Sequence, residues 1–308
     1  MIKKKRILVT GGSGFLGRFL IPKLKKKFIV DTTNSKKNNL FKANSLNEFN
    51  KKKYYEIYHL AAWTQAGDFC LKYPGDQWIK NQKINTNVLS WWKEYQPNAK
   101  MIFIGTSCSY PTNMILEEKN YLKGQPTESL YTYAMTKRML LEGAKSLSKQ
   151  YNLNWVSYIP STLYGPYYHD DQRQMHFIFD LIKKILLGKY RGKNVILWGN
   201  GYQKREIIHV NDFVDIMLKT KGKLKNEVIN IGSGKDYSIR EFAKIICNIV
   251  DYDFKKIKFD TSKYIGAKSK ILCVKKITKI IKNYPKHLVN IKLGIKETID
   301  WFIRTNKI

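Results

Sequence analysis

Apolar positions along the chain fall into short runs separated by segments of helical period. RILVT, FIVD, EIYHLA, KMIFIGT and NWVSYIP are each four to seven residues long and rich in Ile, Val, Tyr and Phe, which predicts buried strands. The segments between them place apolar side chains on one helical face, which predicts helices over about residues 15–27, 77–95 and 130–151. Such alternation predicts an α/β fold of the Rossmann type, a doubly wound parallel sheet covered by helices on both faces. After Tyr164 the pattern becomes less regular. Helical MHFIFDLIKKILLG, strand-like NVILW, EVINIG followed by SIREFAKIICNIV, and a terminal GIKETIDWFI predict a smaller C-terminal lobe made of non-contiguous pieces. The expected boundaries are a larger domain in residues 1–165, with returning segments near 205–232, and a smaller lobe in 166–204 and 233–308. A cleft between them is the expected ligand site.

Composition narrows the class. The 308 residues, 43% hydrophobic and 13% aromatic, suffice for a globular chain with a sizeable apolar core. No apolar run approaches the roughly 20 residues of a membrane span. The opening MIKKKRILVT turns into a strand before a signal-peptide core has room to form, so a cytoplasmic location is expected. Cys70, Cys108, Cys247 and Cys273 are widely spaced, with neither a C-x-x-C pair nor metal-ligand spacing. The formal charge of +32 is high enough to raise the question of nucleic acid. Its lysines, however, are scattered through KKKF, KKKYY, LIKKIL and VKKITKIIK rather than gathered in one arm. A solvated basic surface that favours encounter with an anionic, phosphorylated substrate is the expectation, with no nucleic acid partner.

Two motifs carry chemistry. ILVTGGSGFLG sets Gly11, Gly14 and Gly17 between the first strand and the first helix, where the backbone turns tightly and helix amides can receive a pyrophosphate. Asp31 ends the second strand, 20 residues past Gly11, where a carboxylate would bond a ribose 2'-hydroxyl and repel a 2'-phosphate. The cofactor is therefore NAD or NADP: Asp31 favours NAD, while Lys36 and Lys37 offer charge to a phosphate. HLAAWT puts Leu60, Ala61 and Ala62 at a strand edge that faces a cofactor or simply packs tightly, and Asn85 is a cofactor contact or a polar-face residue. YTYAMTKRM places Tyr133 and Lys137 four apart on one helical face. An adjacent ammonium and a positive nicotinamide would lower the pKa of such a tyrosine. GTSCSY brings Thr106 and Cys108 to the C-terminal end of a strand, the ligand edge of a parallel sheet.

With these residues in view, the chain resembles the extended short-chain dehydrogenase/reductases. Within them it is similar to the GDP-L-fucose synthase branch, the GDP-4-keto-6-deoxymannose 3,5-epimerase/4-reductases. The resemblance runs through TGGSGFLG, GTSCSYP, YAMTK, PSTLYGP, MHFI, WGNGYQKREIIHVND and FDTSKYIGAKSK. It implies that Thr106 bonds the sugar's C4 oxygen, that Tyr133 exchanges the proton there, and that Lys137 orders the phenol and the nicotinamide ribose. Cys108 and His176 are implied as base and acid at C3 and C5, because a 4-keto group acidifies both neighbouring carbons. It further implies Phe15, Leu16 and Pro160 as cofactor contacts, and Ser107, Leu163, Tyr164, His176, Trp198, Arg205, Lys263 and Lys270 as substrate contacts. Relatives of this type pair through the helices near 77–95 and 130–151, so a homodimer is expected, with SWWKEY either at that face or against its own sheet.

Three departures keep other readings open. VDTTNSKKNNL looks like the corresponding region of epimerases that retain NAD, which makes redox-neutral epimerisation the second reading. Tyr264 stands where proline is usual and Ser269 replaces a basic residue, so GDP is the favoured base without being required. The charge leaves a non-catalytic NAD(P)-binding or nucleic-acid-binding protein as the reading from another class. Thr106, Tyr133 and Lys137 together argue against that one.

Overall fold

The computed structural model describes residues 4–169, 173–262 and 268–306; Lys263 and Tyr264 lie outside the described residues. The first half runs β1 (Arg6–Thr10), α1 (Phe15–Lys25), β2 (Ile29–Thr32), β3 (Glu56–His59), α2 (Phe69–Lys72), α3 (Pro74–Tyr95), β4 (Lys100–Ile104), α4 (Tyr131–Tyr151) and β5 (Trp155–Pro160). The second runs β6 (Thr162–Tyr164), α5 (Phe177–Arg191), β7 (Ile196–Trp198), β8 (Lys204–Arg205), β9 (Ile207–His209), α6 (Val210–Thr220), β10 (Glu227–Ile231), β11 (Tyr237–Ser238), α7 (Ile239–Val250), β12 (Lys258–Asp260), α8 (Lys275–Ile280) and α9 (Ile291–Asn306).

Six strands form one parallel sheet in the order β2-β1-β3-β4-β5-β10. The direction of winding reverses between β1 and β3, and such a switch point opens a crevice at the strands' C-terminal ends. Strand alternation divides the core between the two faces. Leu8, Ile57, Met101, Phe103 and Trp155 point to the side covered by α3 and α4, whereas Ile7, Val9, Tyr58, Ile102, Val156 and Ile229 point to the side covered by α1 and α6. Trp91 and Trp92 of SWWKEY join the first cluster, so these side chains face their own sheet; Trp92 is fully buried and donates its indole N–H to Ala99 O at 2.8 Å.

A third cluster, built by α5, α7 and α9 around Phe179, Ile182, Phe242, Ile246 and Phe302, forms the smaller lobe. A reciprocal cap starts α7: Ser238 Oγ accepts the Glu241 N–H while the Glu241 carboxylate accepts the Ser238 N–H. One boundary differs from the expectation. Residues 274–288 leave the smaller lobe and return to the sheet, where Ile277 and Tyr284 are buried beside β10 in the α1 and α6 layer. This short helix, KKITKI, buries Ile277 there, with Ile280 and Ile281 packed beside it. Among the described residues, no helix is long and apolar enough to cross a membrane.

Candidate active site

The crevice at the switch point is shaped by glycine. Gly11 has φ +69°, and a Cβ there would meet Ala61 N at 2.7 Å, so the turn after β1 can approach the end of β3 only without a side chain. Gly14 starts α1 and gives no side-chain cap to the amides of Phe15, Leu16 and Gly17, which leaves a helix N-terminus free to receive an anion. Leu60 N–H donates to Thr10 O and Ala61 N–H to Thr10 Oγ1, holding the strand end against that turn. Ala62 follows, part-buried, and Pro160 closes β5 along the same sheet edge. Lys137 is 6% exposed, and its ammonium has no hydrogen bond among the described residues; burial lowers its pKa to about 8. A glycine cradle, an uncapped helix start and an unpaired buried ammonium fit a dinucleotide: the pyrophosphate on the amides, a ribose hydroxyl on Lys137.

Asp31 is engaged elsewhere. Paired with Leu8, it sits two residues short of the end of β1, and its carboxylate takes Arg6 at 2.9 Å, Lys52 at 3.3 Å and the Tyr54 hydroxyl at 2.7 Å. Burial pushes it up, but those three partners outweigh burial and hold it below the usual carboxylate range. The carboxylate expected to meet a ribose hydroxyl is thus already paired within the protein, and its side chain keeps 18% exposure. Nearer the edge, Lys37 pairs with Glu48 and Lys36 is exposed.

Asn85, expected as a cofactor contact or a polar-face residue, is buried on α3. Only 6% exposed, its Oδ1 lies 3.2 Å from His59 Nε2 and its amide donates to Thr136 O at 3.3 Å, while His59 Nδ1 lies 2.8 Å from Thr10 Oγ1. This buried chain ties the glycine-rich turn to the helix that carries Tyr133 and Lys137. Burial, then the Lys137 charge, lowers the His59 pKa to about 4, so the ring is neutral. Sequence reasoning missed Thr10 and His59; the available signal was that both are polar side chains closing otherwise apolar strands, in direct register.

At the catalytic end, Thr106 caps a single turn of 3-10 helix, Ser107–Ser109, by accepting the Cys108 N–H at 3.2 Å. Ser109 Oγ donates to Ala134 O, and Arg138 donates to Ser109 O, so the turn is fixed to α4. Tyr133 and Lys137 share one face of α4, the ammonium 5.8 Å from the phenol ring centre. Burial pushes the Tyr133 phenol well above its ordinary value, with Cys108, Tyr121 and Cys70 adding to it. Lys137 does not offset that burial, so the phenol stays protonated.

Cys108 Sγ accepts a hydrogen bond from Lys270 Nζ at 3.0 Å. Burial raises this thiol, but Lys270, the Thr106 hydroxyl and Arg205 outweigh it and leave it below the ordinary thiol value. Ser107, Ser161, Thr162, Arg205, Glu206, Lys270 and Leu272 line one cleft. His176, at the start of α5, opens to solvent on its surface yet is ringed by protein; that desolvation, with the charges of His169 and Lys270, lowers its pKa to about 4. Lys270 thus acts electrically on both the thiol and the imidazole. Trp198 is 57% exposed at the end of β7, with Lys184 5.9 Å from its ring, a neighbour that sequence reasoning did not single out. Leu163 is part-buried in β6. Tyr164, expected as a substrate contact, is 2% exposed, edge-on to His209 and packed over Gly294. Strand alternation turns it inward.

The sequence pattern of the NAD dependent epimerase/dehydratase family matches residues 7–232, well over half of the chain. The chain belongs to that family. It is an NAD(P)-dependent enzyme of the epimerase/reductase type, an extended short-chain dehydrogenase/reductase. Among its relatives, GDP-L-fucose synthase of Escherichia coli (strain K12) is 26% identical over 319 aligned positions, covering 98% of this chain and 98% of that one. In fold, it is similar to a GDP-6-OMe-4-keto-L-xylo-heptose reductase from C. jejuni, with TM-score 0.88, 24% identity and 99% of each chain covered. It is also similar to a GDP-L-fucose synthetase from Naegleria fowleri bound to NADP, with TM-score 0.87 and 24% identity over 100% of this chain and 96% of that one.

Proposed function

We propose that this family member is an NADPH-dependent epimerase/reductase of a GDP-linked 4-keto-6-deoxyhexose. The observation that carries the reading is Tyr133 and Lys137 on one face of α4, the ammonium 5.8 Å from the phenol ring, beside a Cys108 thiol that accepts a hydrogen bond from Lys270. Bound NADPH would supply the hydride to C4. Thr106 would bond the C4 oxygen, Tyr133 would give that oxygen its proton, and Lys137 would hold a ribose hydroxyl close to the phenol. Before reduction, Cys108 would take a proton from a carbon next to the ketone, and His176, exposed to solvent and receiving a proton from it, would pass that proton to the opposite face. Arg205 offers positive charge to the diphosphate, and Trp198 offers an exposed ring to the base. The names of the relatives support GDP as the nucleotide. NADPH is supported by Asp31, which is neutralised by its own partners, and by the exposed Lys36 beyond β2.

The same reading includes a cytoplasmic homodimer through α3 and α4, supported by Ile79 and Met139, apolar yet 53% and 44% exposed on those helices. Mixing the protein with NADPH and GDP-4-keto-6-deoxymannose should consume absorbance at 340 nm in proportion to product. Tightly held NAD released on denaturation, with no net NADPH consumption, would instead make the enzyme a redox-neutral epimerase. Cys108→Ser should leave hydride transfer to an already epimerised keto sugar intact while removing solvent deuterium uptake at C3 and C5.

A further inference from the structure

We infer that Lys270 is the counter-ion of Cys108, a positioning residue that keeps the thiol ready to accept a carbon-bound proton, rather than a contact for the sugar nucleotide. The inference rests on the function proposed above for Cys108. Its basis is a contact between segments 162 residues apart: Lys270 Nζ donates to Cys108 Sγ at 3.0 Å. Both partners are held. On the lysine side, Lys204 N–H binds Lys268 O at 2.9 Å, Ser269 Oγ donates to Asp236 at 3.0 Å, and Leu272 N–H donates to the buried Glu206 carboxylate at 2.8 Å. On the cysteine side, the Thr106 cap and the Arg138 bond to Ser109 O fix the turn.

The ionisable groups that act on Cys108 are Lys270 and Arg205, both cationic, with Tyr121, Tyr133 and Cys70, each neutral and pushed upward by burial. Among the described residues, Glu206 is the carboxylate that shares the cleft with Lys270, and its oxygens accept the N–H groups of Gly234 and Leu272 rather than the ammonium. A proton on carbon yields only to the thiolate. In that step the C–H bond breaks, an S–H bond forms, and the electron pair moves through the enolate to the C4 oxygen. Lys270 then stands beside a neutral thiol and favours its reionisation, which resets the base. A lysine committed to substrate phosphate would leave only the Thr106 hydroxyl and Arg205 to set against the desolvation penalty on the thiol.

The test uses the full chain with Lys270→Met, Lys270→Arg and Cys108→Ser. Thiolate absorbance near 240 nm is titrated without substrate, with Cys108→Ser as the blank. Lys270→Met should move the Cys108 inflection upward by about one pH unit or more, and Lys270→Arg should restore most of it. With substrate, deuterium uptake at C3 and C5 should fall about tenfold at neutral pH in Lys270→Met, recover in alkali, and leave KM within about twofold. An unmoved inflection overturns the inference. So does a large rise in KM with an unchanged pH profile of exchange, the signature of a substrate contact. If the inflection moves but the wild type exchanges no deuterium, the ion pair stands and the proposed function falls.

Discussion

Glu206 provides a measurable electrostatic cost inside the site. Its carboxylate is 2% exposed, accepts the N–H groups of Gly234 at 2.6 Å and Leu272 at 2.8 Å, and has no cation bonded to it among the described residues. Burial, only partly offset by those amides, raises its pKa from an ordinary 4.5 to about 7. A carboxyl whose folded value lies above its unfolded value contributes stability below pH 4.5, and loses it as pH rises through about 7. The gap of about 2.5 pH units, at 1.36 kcal/mol each, corresponds to about 3 kcal/mol. Glu206→Gln removes that pH dependence. In exchange, it turns one amide donor toward a backbone N–H, a roughly constant cost of about 1–3 kcal/mol. The assay is urea unfolding of both proteins at a series of pH values from 4.5 to 8.5. The stability of the wild type relative to the variant should decline by about 3 kcal/mol across that range. A difference that stays flat, or that grows with pH, would refute a buried carboxyl of raised pKa at this position.

Three further outcomes follow from the geometry. Gly11→Ala forces a side chain into a left-handed turn against the backbone of Ala61, at about 1–2 kcal/mol of strain before any clash; calorimetry should show NADP(H) affinity reduced at least about tenfold. Tyr133→Phe removes the proton donor without moving the helix. The reduction rate should drop by about 10²–10⁴-fold, with cofactor affinity within about twofold of wild type in the same calorimetric assay. Trp92→Ala empties a fully buried site and strands Ala99 O, which should cost about 3–5 kcal/mol in urea unfolding and leave the cofactor affinity of the folded protein unchanged.

What the sequence made legible depended on whether the cause was local. The glycine turn, the helix opening at Phe15 and the shared face of Tyr133 and Lys137 follow from rules that act within a few residues, and the structure places these elements accordingly. Asp31 could not be read that way. Its position near the end of a strand was evident, but Arg6, Lys52 and Tyr54 reach it from two other segments, and no spacing rule announces them. The Cys108 and Lys270 contact was hidden for the same reason, because each residue looks ordinary in its own neighbourhood. Tyr164 shows a different limit. The PSTLYGP motif was legible, but the inward side of a three-residue strand was assigned only by its pairing with β9. The two tryptophans of SWWKEY had two plausible destinations, and packing of α3 against the sheet chose between them.

The position of β10 constrains biosynthesis. This strand covers the edge of β5, yet it is made only after β6, α5, β7, β8, β9 and α6. A nascent chain that has emerged only through Pro160 therefore carries Val156, Tyr158 and an unpaired row of backbone groups uncovered. Synthesis must continue for about 70 more residues, several seconds against the microseconds a hairpin takes to form, before that edge is sealed. Slow translation between residues 161 and 226 should thus raise the demand for chaperones that shield a naked strand, whereas a pause after Ile231 should not.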